Sequence, residues 1–147
     1  MQDSEVSNVS LRPLWIAILL NLIWVNLSGV IRAFAFVMPM MRSALPTVPD
    51  VVPMNLNLFL AWGAWELIPI LSVSIISWLM MIRFGASTGI ALAAGTVTWI
   101  LVYANLWSAL YLMNLATLSV TGVALALSWL EMAVAAFLVR WSAIRYS

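Results

Sequence analysis

Three ionisable side chains lie inside long apolar stretches of the sequence and are the residues best suited to chemistry. Arg32, Glu66 and Glu131 each fall within a hydrophobic segment of the length that crosses a bilayer. An ionised group at the centre of such a helix costs at least about 2.5 kcal/mol, so it persists mainly where it has a partner or a function. We therefore predict that the three residues form one polar site inside the membrane.

The charges of this predicted site do not balance. One arginine facing two carboxylates leaves one negative charge over, so either one glutamate carries a proton or water or a cationic ligand enters. Because Arg32 should favour the charged form of Glu66, we expect Glu131 to be the protonated acid. The alternative is a purely structural ion pair between Arg32 and Glu66, with Glu131 either neutral or extending its side chain towards the cytoplasmic face.

Two uncharged residues complete the predicted ligand or proton site. Trp62 precedes Glu66 by one helical turn and could form one wall of a cation pocket, or simply fill space beside a buried carboxyl. Asn21 shares a helix face with Arg32, and the helical rise places it near the level of the glutamates. Its alternative role is a hydrogen bond between helices.

Missing residue types narrow the chemistry. The chain has no His and no Cys, and all six of its basic residues are Arg. This excludes histidine-ligated haem, thiolate metal sites and lysine catalysis, and no phosphate-binding glycine loop is found. We expect no cofactor, no metal, no catalytic residue and no nucleic-acid partner. A membrane enzyme that uses Glu66 and Glu131 as acid and base on a lipid-soluble substrate is a weaker alternative.

Composition identifies the class of protein. Of 147 residues, 65% are hydrophobic and 7% are charged, against roughly 25% charged in soluble domains. A soluble core of this length could not bury so much apolar surface, so we predict a multi-pass protein of the cell membrane with the lipid bilayer as its main partner.

Four apolar segments predict an all-α fold, because each is long enough to cross the bilayer as a helix. Short links make consecutive helices antiparallel neighbours, which favours an up-down antiparallel bundle of four transmembrane helices. The predicted single membrane domain covers 1–147, with spans at about 14–40, 54–82, 87–112 and 117–139 and a proline-rich outer loop at 41–53.

Helical periodicity predicts which face of each span points inward. Each span has one stripe of polar or small residues. In the third span this stripe is Ala91, Ala94, Thr98 and Asn105, while Tyr103 lies on the opposite, aromatic face. We therefore expect Asn105 inside the bundle.

Arginine placement predicts the orientation. Arg12, Arg83, Arg140 and Arg145 fall at one end of the four-span topology, and Arg42 alone falls in the opposite loop. The positive-inside rule then places both termini in the cytoplasm.

Two main functional hypotheses remain open from the sequence. The first is a membrane protein that binds or moves a small molecule or a proton at the Arg32, Glu66 and Glu131 site. The second is an accessory or assembly subunit whose polar stripe only fixes helix packing. Because chains this short usually complete a pathway as oligomers, we expect a homo-oligomer or a partner membrane subunit.

Overall fold

The computed structural model of the protein describes residues 10–146, which are mostly helical and contain no strand over that range. Residues 1–9 and 147 of the predicted domain lie outside the described residues. The predicted all-α bundle is confirmed, with four packed helical stretches long and apolar enough to span a membrane. These spans are Arg12–Ala44, Leu56–Phe84, Thr88–Leu112 and Leu118–Tyr146.

The two ends of the bundle differ in what joins the helices. At one end, Ser142 Oγ of the fourth span donates to the Pro13 carbonyl of the first, at 2.6 Å. At the same end, Arg140 Nε donates to the Ala86 carbonyl in the link between the second and third spans, at 2.9 Å. We call this the terminal end. The opposite, loop end carries the connection between Ala44 and Leu56 and the third link, so consecutive spans run antiparallel.

The first span is longer than predicted and contains a π-helical segment. Helix α1 (Arg12–Ile31) continues through the π-helical segment Arg32–Val37 into helix α2 (Met38–Ala44). Pro39 is the second residue after the π-helical segment. A proline in a helix interior cannot donate its share of the hydrogen-bond ladder, so the helix continues beyond it only where the local winding adapts.

The second span is broken at Glu66. It consists of helix α3 (Leu56–Trp65) and helix α4 (Leu67–Phe84), with Glu66 in a turn between them. Pro69 has no N–H to donate to the carbonyl four residues earlier, so the ladder is interrupted at this level. Helix α4 buries one face in the bundle, whereas α3 buries none of its residues.

The third span contains a second π-helical segment, which overturns part of the predicted inward face. Helix α5 (Thr88–Trp99) is followed by the π-helical segment Ile100–Ala104 and helix α6 (Asn105–Leu112). An extra residue in one turn rotates everything after it by about 100°. The buried stripe therefore continues at Tyr103, which is 1% exposed, while Asn105 is exposed.

The fourth span is one uninterrupted helix, α7 (Leu118–Tyr146), and it packs against α1, α4 and α5. Its contact with α5 is close at Gly95, where a Cβ would lie 2.7 Å from the Met132 carbonyl oxygen. Gly95 is therefore required for the two backbones to approach, as small residues commonly are between membrane helices.

Candidate intramembrane ion site

Arg32 bridges the two membrane glutamates. Its Nη1 lies 3.2 Å from Glu131 Oε1, and its Nη2 lies 3.4 Å from Glu66 Oε1. The three side chains are 10%, 2% and 11% exposed for Arg32, Glu131 and Glu66 respectively. The structure thus brings together the three ionisable residues singled out from the sequence. Helical rise places them roughly 15 to 20 Å from the loop end of their spans.

Glu131 belongs to this cluster and does not lie at an interface. It is buried in the middle of α7, so the alternative that left it near the cytoplasmic face is wrong. The reason is geometric, because α7 continues to Tyr146 and places Glu131 farther from the terminal end than a span ending near residue 139 would.

Tyr103 is the fourth member of the cluster. Its hydroxyl lies 2.9 Å from Glu131 Oε1 and 3.2 Å from Glu66 Oε2. The Arg32 guanidinium lies over its ring, with the carbon 4.6 Å from the ring centroid. A phenol has one proton, so Tyr103 donates to only one of the two acids at a time. Sequence reasoning missed this residue because the π-helical segment rotates it inward.

Ser28 supplies a further hydroxyl to the cluster. Its Oγ lies 2.8 Å from Glu131 Oε2 and 2.8 Å from the Trp24 carbonyl oxygen, so its single proton serves one of these two acceptors. Trp24 Nε1 in turn donates to the Glu131 backbone carbonyl at 3.0 Å. These contacts fix the first and fourth spans to each other at the level of the acid.

Glu66 reaches the cluster because α1 has a glycine opposite it. A Cβ at Gly29 would lie 3.0 Å from Glu66 Oε1 and 3.5 Å from the carboxyl carbon. Any side chain at position 29 would therefore compete with the carboxyl for space. The sequence feature that could have indicated this is the spacing of Gly29 and Arg32, which share one helix face.

Trp62 lies beside the cluster but not within it. It is 49% exposed, and its ring packs edge-on against Trp65 with the centroids 5.9 Å apart. Trp65 packs in the same way against Tyr103, at 6.0 Å. The aromatic residue next to the cluster is therefore Trp65, and Trp62 connects to the cluster through it.

Asn21 lies at a different level from the glutamates. Its Nδ2 donates to Ser74 Oγ at 3.0 Å, about 12 Å from Glu66 by helical rise and towards the terminal end. The fully buried side chains of Val25, Ile70 and Val73 lie between the two levels. The structure therefore does not bring Asn21 to the charged cluster. The first span extends to Ala44 instead of ending near residue 40. Asn21 therefore lies about four residues farther from the loop end than the predicted span placed it.

The described part of the chain was compared with the ligand sets that proteins use to bind metal ions. Within residues 10–146, no group of three or more His, Cys, Asp or Glu side chains could hold a metal ion.

Comparison with known proteins gives no match to a family model, to a curated protein or to a solved structure. The geometry of the cluster therefore has to carry the functional assignment.

The charges in the cluster define what it can do. With Arg32 positive and both glutamates ionised, the buried site would carry one net negative charge. A single proton, or a single bound cation, makes it neutral. In hydrocarbon surroundings a neutral site is much less costly than a charged one, so the cluster is suited to hold one exchangeable positive charge.

Proposed function

We propose that this small integral membrane protein binds and exchanges one proton at the Arg32, Tyr103, Glu66 and Glu131 cluster, and that the exchange serves to bind or move a small molecule. The observation that carries the proposal is the position of the Tyr103 hydroxyl between the two acids, at 2.9 and 3.2 Å. When one acid is protonated, it donates to the Tyr103 oxygen while Tyr103 donates to the other acid. All four groups are then partnered and the site is neutral.

Glu66 is the proton carrier in this proposal, and Glu131 is the permanent counter-ion of Arg32. Arg32 and Tyr103 both lie closer to Glu131 than to Glu66, which favours the ionised form at Glu131. Glu66 is also the more exposed acid. This reverses the expectation from the sequence, which assigned the proton to Glu131 because it placed Arg32 against Glu66 alone.

Labelling with dicyclohexylcarbodiimide tests the assignment. This apolar reagent partitions into bilayers and reacts with protonated carboxyls: the acid proton moves to a reagent nitrogen, and the carboxyl oxygen bonds to the central carbon. In the reconstituted protein at neutral pH, we expect an adduct on the peptide that contains Glu66. Peptide mass spectrometry that finds the adduct on Glu131 instead would reverse the roles, and an absence of label on both acids would contradict the proposal.

Arginine distribution supports an orientation with the terminal end in the cytoplasm. Arg12 begins α1, Arg83 and Arg145 lie in the last turns of α4 and α7, and Arg140 donates to the Ala86 carbonyl at the same end. Arg42 lies at the loop end and donates to the Val52 carbonyl at 3.1 Å. The positive-inside rule assigns the arginine-rich end to the cytoplasmic side.

A role as an accessory subunit is the second candidate, and one observation favours it. Asn105 is exposed at membrane depth in α6, and its side-chain amide makes no hydrogen bond to another residue among those the structure describes. An amide in hydrocarbon gains free energy by pairing with another chain, so Asn105 favours contact with a second copy or a partner subunit. Substituting Asn105 with Leu and measuring the oligomeric state in bilayers tests this candidate. An unchanged oligomeric state would remove its support.

A further inference from the structure

The terminal side of the cluster is closed. Val25, Ile70 and Val73 are each 0% exposed and separate the cluster from the Asn21–Ser74 contact. Below that contact, a second apolar cluster that includes Ala17 continues the seal. Among residues 10–146, these buried apolar side chains therefore separate Glu66 from the terminal end.

The loop side of Glu66 is open. Trp62 and Gly63 precede Glu66 by one turn, so they project within about 60° of its direction. Although Glu66 points into the bundle, Trp62 is 49% exposed, and a Cβ at Gly63 would meet no atom within 4 Å. Phe59, one turn further, is 44% exposed. We call this surface, formed by Phe59, Trp62, Gly63 and Glu66, the α3 cleft.

The α3 cleft exists because the loop-end half of the second span packs on the bundle mainly through its last residue, Trp65. Helix α3 buries none of its residues, and its contacts within the chain are mainly to α4. Apart from Glu66, the side chains of this surface are aromatic, so it suits a ligand with an apolar body that arrives from the bilayer.

We propose that the α3 cleft admits a lipophilic organic cation from the bilayer, which binds at Glu66 in exchange for the proton. This inference rests on the proposed function, and it names the class of ligand that the site takes. A cation with an apolar body can contact the exposed rings of Trp62 and Phe59, while its charge replaces the proton on Glu66. One cation enters and one proton leaves, so the net charge of the site does not change.

Other ligand classes fit the cleft less well. A hydrated metal cation requires a shell of six or more oxygen ligands, and the cluster offers two carboxyl groups that already contact Arg32. An anion would add to the negative charge of the acids. The groups that face Glu66 are Arg32 from the first span, Tyr103 from the third and Glu131 from the fourth. Arg32 and Glu131 neutralise each other, so the single negative charge of an ionised Glu66 is left for one cation to balance.

Binding of tetraphenylphosphonium to the purified protein in lipid nanodiscs tests this inference. We expect saturable binding that becomes tighter as pH rises, because the cation competes with the proton, and one proton released per cation in weakly buffered solution. Triphenylphosphine oxide, an uncharged compound of similar shape, should not compete. The Glu66→Gln variant should bind at least about 10-fold more weakly. Equal binding by Glu66→Gln would overturn the proposal.

Two matched glycine variants separate the cleft from the charged cluster. Gly63→Leu adds a side chain to the α3 cleft at a position where a Cβ meets no atom within 4 Å, so the fold should be retained while tetraphenylphosphonium binding weakens by about 10-fold or more. Gly122→Leu in α7 adds the same side chain at another glycine with no neighbour within 4 Å, and binding should be unchanged. Equal binding by the two variants would contradict entry along α3.

The two experiments distinguish a failure of the proton-exchange proposal from a failure of the ligand proposal. If carbodiimide labels Glu66 but tetraphenylphosphonium does not bind, the proton-exchange proposal stands and the assignment of the ligand class is wrong. If neither acid is protonated, the proton-exchange proposal itself is wrong.

Discussion

The Tyr103 hydroxyl lies 2.9 Å from Glu131 Oε1, in a bundle where the two residues come from neighbouring spans and both are almost fully buried. This hydrogen bond joins the π-helical segment of the third span to the centre of α7. It also leaves the other side of the phenol oxygen facing Glu66, at 3.2 Å. The relationship makes Tyr103 the connection through which the two acids influence each other.

Replacing Tyr103 with Phe should therefore destabilise the protein. The change leaves Glu131 without one hydrogen-bond donor in a buried site, which costs about 1 to 3 kcal/mol of unfolding free energy. Reversible unfolding in mixed micelles measures it. Tyr111→Phe is the matched control, because Tyr111 is 43% exposed and should tolerate loss of its hydroxyl. Equal effects of the two substitutions would show that the Tyr103 hydrogen bond contributes nothing.

Arg32 and Glu131 should be energetically coupled. Arg32→Gln or Glu131→Gln alone removes one partner of a buried charge pair and should cost about 3 to 5 kcal/mol. The double variant leaves no unpaired charge between these two positions, so its loss should be smaller than the sum by at least about 1 kcal/mol. A double-mutant cycle on unfolding free energy gives this coupling. Additive losses would mean that the pair does not interact.

Close packing of α5 on α7 should make Gly95 intolerant of substitution. An alanine Cβ would lie 2.7 Å from the Met132 carbonyl oxygen and 3.1 Å from Ala133 Cα, so the backbones would have to separate. We expect Gly95→Ala to destabilise by about 1 to 3 kcal/mol. Gly122→Ala in α7 serves as the control and should be neutral or slightly stabilising, since nothing lies within 4 Å and Ala favours helix. A neutral Gly95→Ala variant would contradict the helix contact.

Cysteine labelling should locate the loop end outside the cell. The natural chain has no cysteine, so single substitutions give unambiguous sites. Val48→Cys, at an exposed position in the loop between Ala44 and Leu56, should react with an impermeant thiol reagent added to intact cells. Thr88→Cys, at the exposed first residue of α5 at the terminal end, should react only after the membrane is opened. The opposite pattern would invert the proposed orientation.

Much of the fold follows from the sequence, because apolar segment length and short links are strong constraints in a bilayer. The meeting of Arg32, Glu66 and Glu131 could also be predicted, since each ionised group inside hydrocarbon requires a partner. These inferences depend on the chemistry of single side chains and on distances along a helix, and errors of a few residues do not change them.

The role of Tyr103 could not be predicted with a constant helical period. A constant period correctly places Ala91, Ala94 and Thr98 on the buried face and then places Asn105 there as well. It does not account for the extra residue in the π-helical segment Ile100–Ala104. The inward face therefore switches to Tyr103 partway along the span. Nothing in the local residue types marks this change, and it is decided by how the third span packs against its neighbours.

The break at Glu66 is different, because its cause is visible in the sequence. Pro69 removes one helical hydrogen bond at the level of the only acid in the second span. Helical periodicity could not predict that α3, on the loop side of the break, buries none of its residues. The loose packing of α3 on the bundle depends on tertiary structure, and it leaves Trp62 49% exposed instead of enclosed in a pocket.

The infrared spectrum of the reconstituted protein tests the central claim, which is that the cluster of Arg32, Glu66 and Glu131 holds one exchangeable proton between its two acids. At pH 7 we predict a carboxylic-acid C=O stretching band in the parent protein. Either Glu66→Gln or Glu131→Gln should abolish it, because the remaining acid then pairs with Arg32 and ionises. A parent spectrum without the band, or a band that persists in one of the two variants, would show that the acids do not share one proton.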